Sequence, residues 1–264
     1  VRPRLALAYG LFYYGYMAYF PFQTIFLTSA GYDKEAIAIL TTCTAVGNFL
    51  IQFPLGRLSG TALSTRRIIL LLLALAIPLG FGPKCFHGTL WVVIVSTLPI
   101  TLADFSLIGQ LDSYTLSLPE TQYSTMRTLG SLAGAAATML LGGFYTRRGI
   151  QHMFWIHGLF MGACLLCFLL LPDRAAAARQ QRRGSGSVRP FLPLFFGGVL
   201  LFLSWRVIMI YLPVLLLERG GNASHQGTAM SLISLSVMPV LMLYPRLRKR
   251  FSCRCLLLLG GISM

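Results

Sequence analysis

The sequence predicts an all-α, polytopic membrane protein, a six-helix bundle followed by part of a second, and three observations carry that prediction. Of its 264 residues 56% are hydrophobic and only 11% charged, with a mean hydropathy of +0.71, too apolar for a soluble domain of ordinary usage. Its apolar runs, such as Ile68 to Gly80 and Leu159 to Leu171, lack a polar face, so the helices they form meet apolar material on every side. Lys and Arg, finally, are distributed unevenly between alternate loops.

Hydropathy places spans near residues 5–28, 36–57, 68–82, 89–112, 126–145, 152–172, 190–217 and 227–245, each long enough to cross a hydrocarbon layer roughly 30 Å thick. A ninth begins at Cys255 and stops at Met264. The first is too long and too aromatic for a signal peptide and has no small-residue cleavage site before the next polar loop. It carries Tyr9, Tyr13, Tyr16, Phe20 and Gln23 at steps of 4, 3, 4 and 3, one helical stripe of rings ending in an amide. The second carries a polar stripe, Thr41, Thr44, Asn48 and Gln52, suited to hydrogen bonds between helices. The third is aliphatic throughout. The fourth holds Asp104 and Asp112, and the fifth opens on Arg127 before Gly130 and Gly134, a small-residue face that lets another helix come close. Spans six and eight are apolar, and span seven holds Arg206 near its middle.

The charge bias places the N-terminus in the cytoplasm: of the 22 Lys and Arg, sixteen fall on inside segments, five on outside segments, and Arg206 alone lies within a span. Arg147 and Arg148 run against the trend. The same distribution accounts for the net charge of +15 without a nucleic-acid partner, since the cations line one membrane face and its anionic headgroups. Composition shifts once, at the basic, Gly/Ser-containing stretch from Pro172 to Arg189. The chain therefore divides into a six-helix bundle over 1–172, a cytoplasmic linker over 173–189, and the start of a second bundle over 190–264.

Ionisable groups at membrane depth cost several kcal/mol unless they face a wet cavity or each other, so they mark candidate pathways. Asp112 ends span four and Arg127 opens span five on the same side, close enough across a short loop to pair or to clamp a polar ligand. A solvated loop-end pair is the alternative. Asp104, eight residues earlier and about 80° away around the helix, lies deeper and is a candidate proton carrier or a structural hydrogen-bonding group. Arg206, with Asp104 a proton-coupling candidate, cannot easily snorkel from mid-span, so it needs a cavity or a carboxylate, unless a tilt of span seven brings it to an interface. The stripe through Tyr16, Phe20 and Gln23 suits a flat or sugar-like solute, or else packs as core.

No cofactor or metal is expected. The six cysteines form no ligand set, Cys164 and Cys167 lie in an apolar helix, and the four histidines have no repeated spacing. No catalytic grouping occurs in or near the spans, which argues against a membrane enzyme.

Four stretches resemble the major facilitator superfamily, most nearly its lactose permease, or oligosaccharide:proton symporter, branch. They are Gly10 to Tyr14 leading to Ala18 to Phe22; Phe53-Pro54-Leu55-Gly56-Arg57-Leu58-Ser59 with Arg66 and Arg67; Asp112 followed by Arg127 to Ser131; and Pro239 to Leu259. Against the family pattern, Gly60 replaces a customary Asp, Val237 stands near a customary span-eight Glu, and Gly134 takes the place of a sugar-stacking Trp. The resemblance covers a chain incomplete at its C-terminus. It implies a secondary active transporter of a small polar solute (sugar, nucleoside or organic acid), working by proton symport and alternating access, monomeric, in the lipid bilayer of a cell membrane such as the bacterial inner membrane. It also favours Asp112 and Arg127 as ligand-binding groups. The alternative is a truncated or degenerate facilitator that binds without transporting. The topology has its own check: proteases should cut the 173–189 linker in inside-out vesicles and spare it in sealed right-side-out cells, and cleavage from outside would invert the assignment.

Overall fold

The computed structural model describes residues 2–61, 63–81, 90–117, 123–173 and 192–251. They form helices α1 (Arg2–Tyr19), α2 (Gln23–Ser29), α3 (Lys34–Thr61), α4 (Thr65–Phe81), α5 (Leu90–Leu116), α6 (Tyr123–Arg148), α7 (His152–Leu169), α8 (Leu192–Glu218) and α9 (Ala223–Arg250), with no strand among them. Stretches within α3, α5, α6, α7 and α9 are long and apolar enough to cross a membrane. The linker beyond Asp173 and the segment from Cys255 lie outside the described residues.

Two departures from the hydropathy spans affect the site. First, span one is not one helix: a 3-10 turn, Phe20–Phe22, separates α1 from α2. Pro21 has no N–H for the helical ladder and its ring crowds the preceding turn, so the α-helix stops just before it. The carbonyls of Ala18 and Pro21 beside the break accept from Tyr145 Oη (2.9 Å) and Gln226 Nε2 (3.3 Å), donors from two other helices. Second, helices outrun the hydrocarbon that hydropathy detects. The α5 helix continues past Asp112 to Leu116 and α6 begins at Tyr123, so Asp112 and Arg127 each sit a full turn inside their helices rather than at loop ends.

The packing explains why α1 is so heavily buried. It rests on α6 and α7, while α4 rests on α5 and α7 and α3 on α5. Tyr9, Phe12 and Tyr19 of α1 are fully or almost fully enclosed. Where α4 meets the end of α7, Arg66 donates to the carbonyls of Phe168 (Nε, 3.1 Å) and Leu169 (Nη2, 2.9 Å), and Arg67 pairs with Asp173 at 3.5 Å. These carbonyls belong to the last turn of α7, where the helix dipole favours cations, so part of the cationic charge on this face serves as helix capping. Arg147 and Arg148, anomalous in the charge count, close the last turn of α6, where the helix dipole favours cations.

The small-residue face of α6 divides its work between two neighbours. Gly130 lies against the Tyr13 ring and Gly134 against Met17, so this pair seats α6 on α1. The approach of α6 to α9 uses Gly142 and Gly227 instead: a methyl group on Gly142 comes within 2.6 Å of the Ala223 carbonyl, and one on Gly227 drives into the Thr138 carbonyl. Backbone meets backbone there, leaving no side chain able to yield. Asn222 fixes the start of α9, its Oδ1 accepting from the backbone N–H of Ser224 (3.0 Å) and His225 (3.3 Å). Gly227→Ala should therefore lose about 1–3 kcal/mol by overpacking, seen as a lower melting temperature in detergent. Gly197→Ala, with open space at its Cα, should leave melting unchanged or raise it. Equal melting of the two variants would refute the close crossing.

Candidate functional site

The polar centre of the bundle forms where α1, α5 and α6 meet. Tyr9 Oη donates to Asp112 Oδ1 at 2.9 Å, Thr115 Oγ1 lies 2.9 Å from the same phenol oxygen, and Tyr123 also hydrogen-bonds the carboxylate. Arg127 Nη1 stands 3.7 Å from Asp112 Oδ1, contacts the Tyr13 hydroxyl, and its guanidinium carbon lies 5.2 Å from the Tyr13 ring centroid. The two charged side chains keep 23% and 30% of their surface, enough for a ligand to reach them and too little for bulk water to screen them fully. At 3.7 Å the guanidinium is not locked to the carboxylate by a bidentate fork, so its remaining N–H groups are free to grip acceptors of a guest.

A second polar centre lies deeper. Asp104 meets His157 of α7, with Nε2 3.1 Å from both carboxylate oxygens and both side chains 1% exposed. The sequence shows no pattern among the four histidines and gives no partner for Asp104; the structure supplies His157. Because α7 is apolar on every face, no periodicity indicated which way His157 points. The side chain of Arg206, in α8, lies outside the described residues.

The five residues expected to form one binding face separate into groups. Asp112 and Arg127 belong to the first centre. Tyr16 stacks on Phe12 of α1 and on Phe20 of the 3-10 turn and meets the edge of Phe105, so its ring faces are taken up by other rings. Phe20 and Gln23 line a water-sized cavity of about 30 Å³ with Thr41 and Thr44 of α3, Met209 of α8 and Met230 of α9. Gln23 is fourteen residues from Tyr9, roughly 21 Å along a helix, and so cannot share a small guest with Asp112. The threonines of α3 bond to their own helix, Thr41 to the Ile37 carbonyl at 2.7 Å and Thr44 to that of Thr41 at 2.8 Å, rather than across to a neighbour.

The end of the molecule holding that cavity is shut. Lys34 at the start of α3 pairs with Glu218 at the end of α8, and holds the Glu218 carboxyl below its usual range by hydrogen bonding and charge. Ser224 N–H donates to Thr146 Oγ1 at 3.0 Å nearby. Toward the other end of α9, Leu232, Leu235, Val240, Met242 and Leu243 are all exposed. Among the described residues no group of three or more His, Cys, Asp or Glu could hold a metal ion.

The sequence profile of the Major Facilitator Superfamily matches residues 5–264. No curated protein matches the chain. Among solved structures, a crystal structure of a mutant of the nucleoside transporter NupG superposes with a TM-score of 0.74 at 12% identity, covering 94% of this chain and 68% of that one. At that identity the likeness is one of fold, and it agrees with the helix order and packing above. The chain is a multi-pass membrane protein of the Major Facilitator Superfamily, a family of transporters and not of enzymes.

Proposed function

We propose that this chain carries a small polar solute, a sugar, nucleoside or organic acid, by proton symport with alternating access, and that Asp112 and Arg127 hold the solute. The observation that supports this most is the half-buried cluster of Asp112, Arg127, Tyr9, Tyr13 and Tyr123, in which carboxylate, guanidinium and phenol groups converge from three helices. Such a set offers acceptors and donors to hydroxyl or carboxyl groups, and an aromatic face for a ring. Asp104 is the proton carrier in this reading, and Phe20 and Gln23 belong to the closure between the two bundles, with Tyr16 behind them. The 1–172 bundle and the 190–264 segment move as the two rocking units about the 173–189 linker. With the N-terminus in the cytoplasm, the Lys34–Glu218 end faces outward and the form described opens inward. The working unit is a monomer in a cell membrane, the bacterial inner membrane being the favoured site.

The test is counterflow in proteoliposomes with labelled uridine, lactose and lactate, one probe for each solute class. Uridine comes first, because NupG, whose fold is similar, is a nucleoside transporter. Arg127→Lys should weaken binding of the transported probe about 10- to 100-fold, since a point charge cannot reproduce the planar fork. Asp112→Asn should do the same. Tyr9→Phe should cost about tenfold or less, the worth of one neutral hydrogen bond. Normal counterflow in Arg127→Lys and Asp112→Asn, with insertion intact, would return the pair to a structural role.

A further inference from the structure

We propose that Asp104 and His157 hold the transported proton jointly, and that His157 Nδ1 is the atom that takes it up. This rests on the symport reading but assigns a different residue and a different atom. His157 Nε2 lies 3.1 Å from both oxygens of the Asp104 carboxyl, and in the proton-poor form of the pair an Nε2–H is shared between them. With the hydrogen on Nε2, a neutral imidazole has a bare lone pair on Nδ1. That atom is buried and has no partner. In that form the pair is a carboxylate beside a neutral ring, one net negative charge enclosed at 1% exposure.

Such a charge is costly away from water, and a single added proton removes it by converting the pair to imidazolium and carboxylate. A second proton would leave an uncompensated positive charge, so the pair alternates between two states one proton apart. Among the described residues Asp104 pairs with His157 and with no Lys or Arg. From α1 the titratable group facing the pair is Tyr19, whose ring centroid lies 5.4 Å from that of His157 and which neighbours Asp104. Between their ends α4 carries no titratable residue from Ile68 to Phe81, α3 has only Cys43 between Glu35 and Arg57, and the Tyr145 hydroxyl of α6 is bound to Ala18. On α5 and α7 themselves, Asp112 is engaged by Tyr9, and His152 lies beside the Gly149 carbonyl. Tyr19 Oη, which is buried and neighbours Thr101, is an oxygen able to receive Nδ1–H once the proton arrives. In the loading step hydronium gives its proton to Nδ1 and leaves as water; unloading reverses it to water at the opposite face.

The primary test is ¹⁵N NMR of histidine-labelled protein in micelles, from about pH 5 to 9, with His157 left as the sole histidine by His87→Gln, His152→Gln and His225→Gln. The expected result is an Nε2–H tautomer at high pH and a doubly protonated ring at low pH. Adding Asp104→Asn should weaken proton binding at least tenfold, a fall of about one pH unit in the midpoint. A ring that stays in one state across the range, or titrates alike with and without the carboxylate, overturns the proposal. Vesicles separate it from the symport reading. Asp104→Asn and His157→Gln should keep counterflow of the transported probe while losing at least tenfold in accumulation driven by a pH gradient. If both variants accumulate normally, the pair is not the proton site although transport stands. If wild-type protein transports none of uridine, lactose and lactate yet the ring titrates as expected, the symport reading fails and the proton site survives.

Discussion

A carboxylate taken out of water needs donors from within the protein, and two carboxylates on one helix decide how the first bundle is arranged. Asp104 and Asp112 lie two turns apart on α5 and project toward different neighbours. Asp112 draws in Tyr9 of α1 and Arg127 of α6, while Asp104 draws in His157 of α7. In hydrocarbon, apolar surface gains nothing by moving from lipid to a neighbouring helix, so polar contacts and close packing determine which helices pair. Helix α1 fits between α6 and α7 because its Tyr9 and Tyr13 hydroxyls answer the first centre, Tyr19 packs on the second, and Gly15 lets the backbone approach Phe160.

The same logic decides which parts of the structure can be read from the sequence. Membrane class, helix positions and the importance of Asp104, Asp112 and Arg127 were legible because each is an extreme of composition: long apolar runs, and charges within them. The pairing of Asp112 with Arg127 could be anticipated because both border one short loop. His157 could not, because it sits 53 residues from Asp104 and α7 has no amphipathic period to give its direction. The break at Pro21 was legible in principle, but Pro54, Pro99 and Pro213 remain inside their helices, so proline alone does not identify the one that breaks. The stripe from Tyr9 to Gln23 assumed a straight helix and an open face. The turn at Phe20–Phe22 bends the stripe, and neighbouring aromatics cover its middle.

Closure at one end and separation at the other follow from where glycine and charge are placed along α6 and α9. Gly142 and Gly227 bring the two backbones together near the Lys34–Glu218 end, and Gln226 reaches the Pro21 carbonyl beside them. A crossing built of backbone and glycine has no interlocking side chains, so the helices can pivot there at little steric cost. The exposed ion pair contributes little by itself, since such pairs are worth about 0–1 kcal/mol and are screened by salt. A closure with a smooth pivot and a weak latch can be reversed, which suits the proposed two-unit cycle.

The two polar centres also differ in a way that suits separate tasks. Asp112 and Arg127 retain a quarter to a third of their surface, and the guanidinium is loosely paired, so a guest can exchange for internal partners without leaving a charge stranded. Asp104 and His157 retain almost none, and their neighbours are a phenol and apolar rings. A solute could not enter there, but a proton needs only a lone pair, which the proposed tautomer places on His157 Nδ1, a buried atom without a hydrogen-bond partner. Both centres touch α1, the first through Tyr9 and Tyr13 and the second through Tyr19, so a shift of that helix alters both together. In the proposed symport, coupling between solute and proton then requires no long pathway. One helix, in contact with each site, has only to prefer one position when both are occupied and another when both are empty.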